Sequence, residues 1–299
     1  METETSGIRN VAVIGAGTMG AQIAQQIALL GFEVNLFDVS PEQLERAAAS
    51  NQKHLMRRVE KGQLQHDAAK AALARVHPQT DLGRAVTETD LAIEAVVEDV
   101  EVKLRVFADL DRLAPPHAIL ATNSSTMTIS EITADLPGRV RTLALHFFNP
   151  VLVMRLVEIA PAPYTDPEFV LRAERFTREI DRDPVMLHKE IAGFLVNRVL
   201  WALRKEAMWL ADSGYADPQD IDRAIKLGLN HPMGPFELAD FNGLDVVLLA
   251  QRHRFAKSGD DADRPPRILE ELVEQGKLGR KSGAGFYDYA TAPASKKES

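Results

Sequence analysis

The feature that most constrains the fold is the run GAGTMG at residues 15–20, which directly follows the apolar segment Val11–Ile14. A strand, a turn with glycines in the GxGxxG spacing and a following helix are typical of a dinucleotide-binding βαβ unit. Gly15 permits the tight turn, Gly17 lets a pyrophosphate approach the backbone, and Gly20 allows close packing of the helix. The pattern predicts that the chain begins with a doubly wound α/β domain whose first helix meets an anion at its N-terminus.

An acidic residue, Asp38, ends the second predicted strand, 23 residues after Gly15. Its carboxylate can accept hydrogen bonds from both ribose hydroxyls of adenosine. A 2′-phosphate at that place would be repelled, and the next residues, Val39, Ser40 and Pro41, supply no arginine to offset the repulsion. The pattern therefore predicts NAD rather than NADP. The alternative is a glycine turn of another α/β protein in which an acidic residue ends the strand by chance.

Short apolar runs separated by helix-period segments continue to about residue 190 and predict a parallel sheet. The predicted strands are Val11–Ile14, Val34–Phe37, Leu91–Val96, Ile119–Thr122, Thr142–Phe147 and Arg155–Ile159. Residues 41–89 are longer than a crossover helix requires, and their helical spacing predicts a projecting helical pair. Beyond residue 187 the helix-sized segments predict an all-helical part. We expect a Rossmann-type domain at 1–187, with the excursion 41–89, and a helical domain at 188–299.

Charge and cysteine content exclude several classes of function. The 299 residues include 35 Lys and Arg against 43 Asp and Glu, a net charge of −8. That sign argues against nucleic acid as a main partner. The chain has no cysteine, so it has no disulfide, no thiolate metal site and no cysteine nucleophile. The histidines other than His146 show no paired spacing that suggests a ligand set, and we expect no metal ion.

The start of the chain, METETSGIRN, lacks the basic and apolar regions of a secretory signal, and no apolar run approaches the length of a bilayer span. These features predict a cytoplasmic protein without a membrane partner. The last ten residues, ATAPASKKES, are of low complexity and are expected to be disordered.

The segment LHFFNP places His146 at the carboxyl end of a predicted strand, where the ligands of open α/β sheets gather. Glu158 follows twelve residues later in MRLVEIA, a strand-like run that can return past the same edge. A nearby carboxylate orients an imidazole and stabilises its protonated form. Because oxidation of an alcohol by NAD needs a base for the hydroxyl proton, the pair is predicted to be that base. The alternative is that His146 is packed in an aromatic core.

Further polar residues stand among apolar neighbours. Residues 123–126 (NSST) follow a predicted strand, and Asn197 interrupts the apolar run GFLVNRV. Short hydrogen-bonding side chains at such places can hold a substrate oxygen. The alternatives are that residues 123–126 cap the helix that follows and that Asn197 faces solvent.

Taken in order, GAGTMG, IEAVVEDVEVK, TNSSTMTI, HFFNPVLVMRLVEI, GFLVNR, HPMGPFELAD and GRKSGAGFYDY closely resemble the short-chain L-3-hydroxyacyl-CoA dehydrogenases. The match spans nearly the whole chain, and HFFNP, GFLVNR and MGPFEL together are far more specific than a glycine motif. The resemblance implies a Rossmann domain followed by a helical domain that also forms a homodimer. It further implies reversible oxidation of the 3-hydroxyl group of an acyl-CoA thioester with NAD. One departure is Leu152, which stands where HFFNPxPxM would carry proline and is expected to alter only a turn.

The resemblance also implies roles for individual residues. Those expected at the catalytic centre are His146 as the base, Glu158 as its orienting partner, and Ser125 and Asn197 as substrate contacts. Those expected to contact NAD are Gly15, Gly17, Thr18, Met19, Gly20, Asp38, Glu98, Lys103 and Asn123.

The helix after Asp38 matches an excursion that touches coenzyme A in this family. Here Lys53, Arg57 and Lys61 form a basic stripe at four-residue spacing that suits phosphates, although a merely solvated face is the alternative. Two other functions remain open. One is a dehydrogenase of a free hydroxy acid or sugar acid, of the gulonate type, against which HFFNP argues. The other is a non-catalytic dinucleotide-binding or structural protein, against which the intact histidine and glutamate argue.

Overall fold

The computed structural model describes residues 5–289, so the C-terminal stretch expected to be disordered lies outside the described residues. The strands are β1 (Asn10–Ile14), β2 (Glu33–Phe37), β3 (Val76–Gln79), β4 (Leu91–Glu94), β5 (Ile119–Thr122), β6 (Thr142–Phe147), β7 (Leu156–Pro161) and β8 (Asp183–Met186). Within residues 5–289 they form one eight-stranded sheet in the order β3-β2-β1-β4-β5-β6-β7-β8. All neighbouring strands pair in parallel except β6 and β7, which are antiparallel. The order of the first six strands confirms the predicted Rossmann-type fold.

Helices cover both faces of this sheet. They are α1 (Thr18–Leu29), α2 (Pro41–Glu60), α3 (His66–Ala74), α4 (Leu82–Val86), α5 (Val100–Leu113), α6 (Ile129–Thr133) and α7 (Pro167–Glu179), with a short 3-10 helix at Arg139–Arg141. The side chains of β1 alternate between two cores: Val11 and Val13 pack with α1 and α7, whereas Ala12 and Ile14 pack with α5 and α6. This alternation is the reason why β1 is apolar at residues 11–14.

The excursion at 41–89 differs in part from the prediction. Helices α2 and α3 form the expected pair, and they share a small core around Leu55. Residues 76–86 are not part of that pair, because β3 extends the sheet beside β2 and α4 follows it. The β3 sequence, VHPQ, is only half-buried and includes a proline, as is tolerated in edge strands. It therefore contains no apolar run from which a strand could be predicted. The short edge strand β8, with the sequence DPVM, escaped prediction for the same reason.

The second compact unit begins at Val196, and the division after Leu195 falls eight residues beyond the boundary predicted at residue 187. The reason is that residues 188–195 stay with the first unit, where Phe194 packs with Leu187, Ala144 and Ala160. The helices of the second unit are α8 (Val196–Asp212), α9 (Pro218–Leu229), α10 (Pro235–Asn242), α11 (Leu244–Ser258) and α12 (Arg267–Glu274), with 3-10 helices at Asp261–Asp263 and Arg280–Ser282. Across residues 5–289, no helix has the length and apolar character that a membrane crossing requires.

Two buried carboxylates join distant segments of the second unit. Asp222 accepts hydrogen bonds from the Glu237 N–H at 2.8 Å and from the Tyr287 hydroxyl at 2.7 Å. Asp240 accepts bonds from the Tyr287 N–H and the Tyr289 hydroxyl, both at 3.0 Å. Burial raises the pKa of Asp240 and raises the pKa of Tyr289 to about 12. The motifs HPMGPFELAD and GRKSGAGFYDY therefore meet in one hydrogen-bonded cluster, which is structural.

Candidate active site

The carboxyl ends of the parallel strands bring the predicted site residues of the first unit to one edge of the sheet. Gly15 follows β1, Asp38 follows β2, Asn123 follows β5, and His146 lies one residue before the end of β6. Because β1, β2, β4, β5 and β6 all run parallel, these residues share the edge at which open α/β sheets bind ligands.

Each of the three glycines of the turn has different steric surroundings. Gly15 has φ +107°, and a Cβ there would lie 2.6 Å from the Ala95 carbonyl oxygen. A Cβ on Gly20 would lie 1.8 Å from the Gly15 carbonyl oxygen. Gly17 meets nothing within 4 Å, so its open face leaves room for a phosphate beside the first amides of α1. Met19 instead packs against the core.

Asp38 is fixed beside this turn. Its Oδ2 accepts the Ala16 N–H at 2.8 Å, and its Oδ1 accepts the Ser40 N–H at 3.0 Å. The half-buried carboxylate is thus held next to the phosphate position. An open glycine face, free helix amides and a fixed carboxylate fit the pyrophosphate and adenosine ribose of a dinucleotide.

A cavity of about 220 Å³ lies between the glycine turn and α2. Gly17 and Thr18 line it from the turn, and Arg46, Ser50 and His54 line it from α2. The predicted basic stripe, Lys53, Arg57 and Lys61, is exposed and does not line this cavity. Sequence analysis missed Arg46, Ser50 and His54, although their four-residue spacing was a signal that could have been used.

A buried ion pair lies behind the end of β4. Lys103 is 1% exposed, and its Nζ lies 2.6 Å from Glu94 Oε1 and 3.2 Å from Glu98 Oε2. Glu94 also accepts the Thr122 hydroxyl at 2.6 Å. Since Lys103 is enclosed, we interpret it as a residue that positions Glu98. Sequence analysis missed Glu94, whose signal was a carboxylate inside the otherwise apolar strand LAIE.

Glu98 is the more accessible member of this network. It accepts hydrogen bonds from the hydroxyls of Ser124 and Thr126, the latter at 2.5 Å. Burial alone would raise the pKa of Glu98, but these hydroxyls and the Lys103 charge together hold it below the usual value. The hydroxyls therefore do not cap α6, which begins after Thr128. A negative charge is fixed at the cofactor edge of the sheet.

Asn123 and Ser125 have different environments in the same loop. The Asn123 side-chain oxygen accepts the Phe147 N–H at 2.9 Å, which ties the ends of β5 and β6 together. Ser125 is half-buried, and its hydroxyl has no partner within the described part of the chain. It is therefore available to a bound molecule.

The antiparallel pairing of β6 and β7 places His146 directly opposite Glu158. Nδ1 of His146 lies 2.9 Å from Glu158 Oε2. The other carboxylate oxygen, Oε1, accepts the Leu195 N–H at 3.0 Å. Because a carboxylate only accepts hydrogen bonds, Nδ1 carries the proton and Nε2 of the neutral imidazole is the basic nitrogen.

Aromatic rings hold the imidazole in place. The His146 ring centroid lies 4.5 Å from that of Phe148 and 4.6 Å from that of Phe194, the latter ring being stacked on it. His146 is 5% exposed and Glu158 is fully buried. The aromatic surroundings therefore coexist with the predicted acid partner, and an oriented base of this kind can remove a proton from an alcohol. Sequence analysis did not find the packing role of Phe194, which lies 48 residues further along the chain.

The sequence analysis also named Asn197 and Leu152, which lie in other segments of the chain. Asn197 lies in the first turn of α8, in the second unit, and is half-buried. Leu152 lies in the turn between β6 and β7, as expected, and is also half-buried. Among the side chains that the structure describes, no group of three or more His, Asp or Glu residues has an arrangement that could hold a metal ion.

The fold and the edge residues together define a dinucleotide-dependent dehydrogenase of the Rossmann type. A sequence model described as the 3-hydroxyacyl-CoA dehydrogenase NAD binding domain matches residues 10–191, and one described as the C-terminal domain of the same family matches residues 193–289. The chain belongs to the 3-hydroxyacyl-CoA dehydrogenase family, and its first unit is an NAD-binding domain.

Individual relatives agree with this assignment. The chain is 40% identical over 282 residues to a probable 3-hydroxybutyryl-CoA dehydrogenase of Bacillus subtilis, covering 94% of this chain and 98% of the relative. It is 39% identical to the 3-hydroxyadipyl-CoA dehydrogenase of Escherichia coli, covering 94% of this chain and 59% of that longer protein. The crystal structure of the (S)-3-hydroxybutyryl-CoA dehydrogenase PaaH1 from Ralstonia eutropha is similar with a TM-score of 0.88, at 35% identity, covering 95% of this chain and all of that one.

Proposed function

We propose that the protein oxidises the 3-hydroxyl group of an (S)-3-hydroxyacyl-CoA to a ketone, with His146 as the general base. Nε2 of His146 takes the hydroxyl proton while the hydrogen on the same carbon leaves as hydride. Bound NAD supplies the hydride acceptor. Glu158 keeps Nδ1 protonated and stabilises the imidazolium that forms. The reverse reaction uses the same groups, with His146 as the acid.

The observation that carries the proposal is the His146–Glu158 pair at 2.9 Å on the edge of the sheet that also holds the glycine turn. A packed core histidine needs no buried carboxylate opposite it, because a buried charge is costly unless it is paired and hydrogen-bonded. Here Glu158 is fully buried and is satisfied by the His146 ring and the Leu195 N–H. The pair is thus built to carry a positive charge on the imidazole during turnover.

Substrate contacts complete the proposal. The free hydroxyl of Ser125 is assigned to the reacting oxygen, and Asn197 to a substrate oxygen as well. Gly17, Asp38 and Glu98 are assigned to NAD, with Lys103 acting through Glu98. These roles are supported by the open face at Gly17, the fixed carboxylate of Asp38 and the position of Glu98 beside the β5 loop.

For coenzyme A we propose contacts along α2 and at Lys61, which directly follows it. Lys53, Arg57 and Lys61 are all exposed and cationic, which suits phosphates held near the protein surface. Arg46 adds a cation that lines the cavity beside the glycine turn. We select 3-hydroxybutyryl-CoA as the first substrate to test, because the relatives from B. subtilis and R. eutropha carry that name.

We also propose a cytoplasmic homodimer formed through the second unit. Large apolar side chains are exposed on α8, α9 and α11, which isolated soluble units avoid unless a partner covers them. They include Val199, Trp209, Leu227, Leu229, Val246 and Leu249. Sedimentation equilibrium of the parent and of Leu227→Asp tests this part. A monomeric parent would remove the dimer from the proposal without affecting the chemistry.

The experiment that tests the function measures NADH formation from (S)-3-hydroxybutyryl-CoA, free 3-hydroxybutyrate and gulonate. We expect turnover of the thioester and a loss of at least about 100-fold in His146→Gln. Turnover of a free acid in preference to the thioester would contradict the substrate class, and parent-like activity of His146→Gln would contradict the base. An acyl-chain series that includes 3-hydroxyadipyl-CoA then defines the acyl group.

A further inference from the structure

The connection between β6 and β7, residues 148–155, has one buried residue, Val151. Residues 149, 150 and 153–155 are exposed, whereas Val151 is enclosed in the same core as α1 and α7. Phe148 begins this connection and packs on the His146 ring. Because the connection leads from His146 on β6 to Glu158 on β7, a group that holds Val151 also restrains the residues beside the candidate catalytic pair.

Arg182, between α7 and β8, holds Val151 from outside this connection. Its Nη2 donates to the Val151 carbonyl at 2.7 Å, and its Nη1 donates to the Asp181 carbonyl at 2.7 Å. Its backbone N–H donates to the Thr177 carbonyl at 3.0 Å, which fixes the residue at the end of α7. Arg182 is 5% exposed, and burial lowers the pKa of its guanidinium, yet an arginine remains charged in a protein. Val151 is therefore held by a buried cation.

Arg155 makes the reciprocal contact from the β7 side of the connection. Its guanidinium donates to both carboxylate oxygens of Asp181, each at 3.1 Å, and to Asp183 at 2.9 Å. The Asp183 N–H in turn donates to the Arg155 carbonyl at 2.9 Å. Asp181 and Asp183 flank Arg182, so each of the two connections binds the other through an arginine. We call Arg155, Asp181, Arg182 and Asp183 the arginine clamp.

We propose that Arg182 is a positioning residue for the proposed base. It acts on the His146 ring through Val151 and Phe148, and the inference rests on the proposed function because it concerns the geometry of that base. Without the guanidinium, the Val151 carbonyl loses its donor, and the connection must move before water can replace it. Phe148 then no longer fixes the imidazole, and a displacement of about 1 Å near a reacting group can lower the rate about 10²-fold.

The test compares Arg182→Met with Arg141→Met. Arg141 is the matched control because it is also 5% exposed and also donates to two backbone carbonyls, those of Pro115 and Asp111. It directly precedes β6 and so lies at the end of that strand opposite to His146. Both variants are expected to lower the urea midpoint, because each leaves buried carbonyls without a donor.

Catalytic measurements then separate positioning from stability. With (S)-3-hydroxybutyryl-CoA, Arg182→Met should lower kcat at least about ten-fold, whereas Arg141→Met should stay within about two-fold of the parent. The dissociation constant for NAD should be unchanged in both variants, because the glycine turn follows β1, three strands away from β6.

A second readout does not depend on turnover. In spectra of protein labelled with ¹⁵N-histidine, the Nδ1 proton of His146 is expected to be protected from exchange by its bond to buried Glu158. It is identified by its loss in His146→Gln. We expect it to remain in Arg141→Met and to exchange faster in Arg182→Met. If the parent did not oxidise the thioester while this contrast persisted, the proposed function would fail and the positioning role would stand.

An exposed member of the clamp keeps the test open if Arg182→Met does not fold. Arg155→Met should then lower kcat at least about three-fold, and its control is Arg178→Met, which removes an exposed arginine bonded to Glu174. Parent-like kcat and His146 exchange in folded Arg182→Met would overturn the proposal. An equal loss of kcat in Arg182→Met and Arg141→Met would overturn it as well.

Discussion

Replacing Glu158 by glutamine tests the proposed base with the smallest change of shape. The donors to this buried carboxylate include the His146 ring at 2.9 Å and the Leu195 N–H at 3.0 Å. Glutamine offers one oxygen and one NH₂ group, so in Glu158→Gln one of these donors must face an NH₂ group.

Either orientation of the glutamine is harmful. If the NH₂ group faces His146, Nδ1 must become the acceptor and Nε2 carries the proton, which is the wrong tautomer for a base. If it faces Leu195, that N–H loses its acceptor and meets another donor, which lowers the free energy of unfolding. Both orientations remove the negative charge that stabilises the imidazolium. We expect kcat to fall by about 10²- to 10⁴-fold, a barrier increase of about 3–5 kcal/mol.

The assay is the initial rate of NADH formation from (S)-3-hydroxybutyryl-CoA, combined with the dissociation constant for NAD. The control is Glu179→Gln, because Glu179 also accepts two hydrogen bonds, from the N–H and the hydroxyl of Ser6. The control should keep its kcat. If folded Glu158→Gln turned over within about two-fold of the parent, the argument that Glu158 sets the tautomer and charge of His146 would be refuted.

Three further predictions concern the cofactor, acid stability and the second unit. The parent should prefer NAD, and Asp38→Ala should shift the ratio of kcat/KM values toward NADP by at least about ten-fold; a parent that prefers NADP would contradict this. The pKa of Glu98 is lowered in the folded protein, so the stability it contributes is present above its usual pKa and is lost as pH falls through the folded value. Urea unfolding across acid pH should therefore show a flatter dependence for Glu98→Gln, and parallel curves would exclude this contribution. Tyr287→Phe removes a donor from buried Asp222 and should lower the free energy of unfolding by about 1–3 kcal/mol, whereas the exposed Tyr215→Phe should not.

The part of the fold that could be predicted is the part encoded by local periodicity. Central strands such as β1 and β5 are buried on both faces, so residues 11–14 and 119–121 are apolar runs that can be recognised in the sequence. The edge strands β3 and β8 are half-buried and contain proline, and their pairing is visible only once the neighbouring strand is in place. The boundary near residue 187 was displaced because Phe194 packs on His146, a contact that no local pattern records.

The candidate site also has a part that local spacing predicts and a part that depends on the order of the strands. Gly15, Gly17 and Asp38 follow from short spacings around a single turn. The sequence analysis paired His146 with Glu158 because the strand that contains Glu158 was expected to run back past His146. The antiparallel register of β6 and β7 explains the pairing, since it places the two residues opposite each other. Contacts that join separate strands, such as Thr122 with Glu94, depend on the order of strands in the sheet and lie beyond what periodicity can predict.

The carboxylate cluster of the second unit has a consequence for synthesis on the ribosome. Asp222 and Asp240 take hydrogen bonds from Phe286, Tyr287 and Tyr289, which are among the last described residues to be made. The NAD-binding unit contains all of its strand partners much earlier and can fold while translation continues. The helical unit must wait, with both acids short of these donors, until residues 286–289 have been made. A ribosome that stalls before that point would therefore hold a finished nucleotide domain attached to an unfinished helical one.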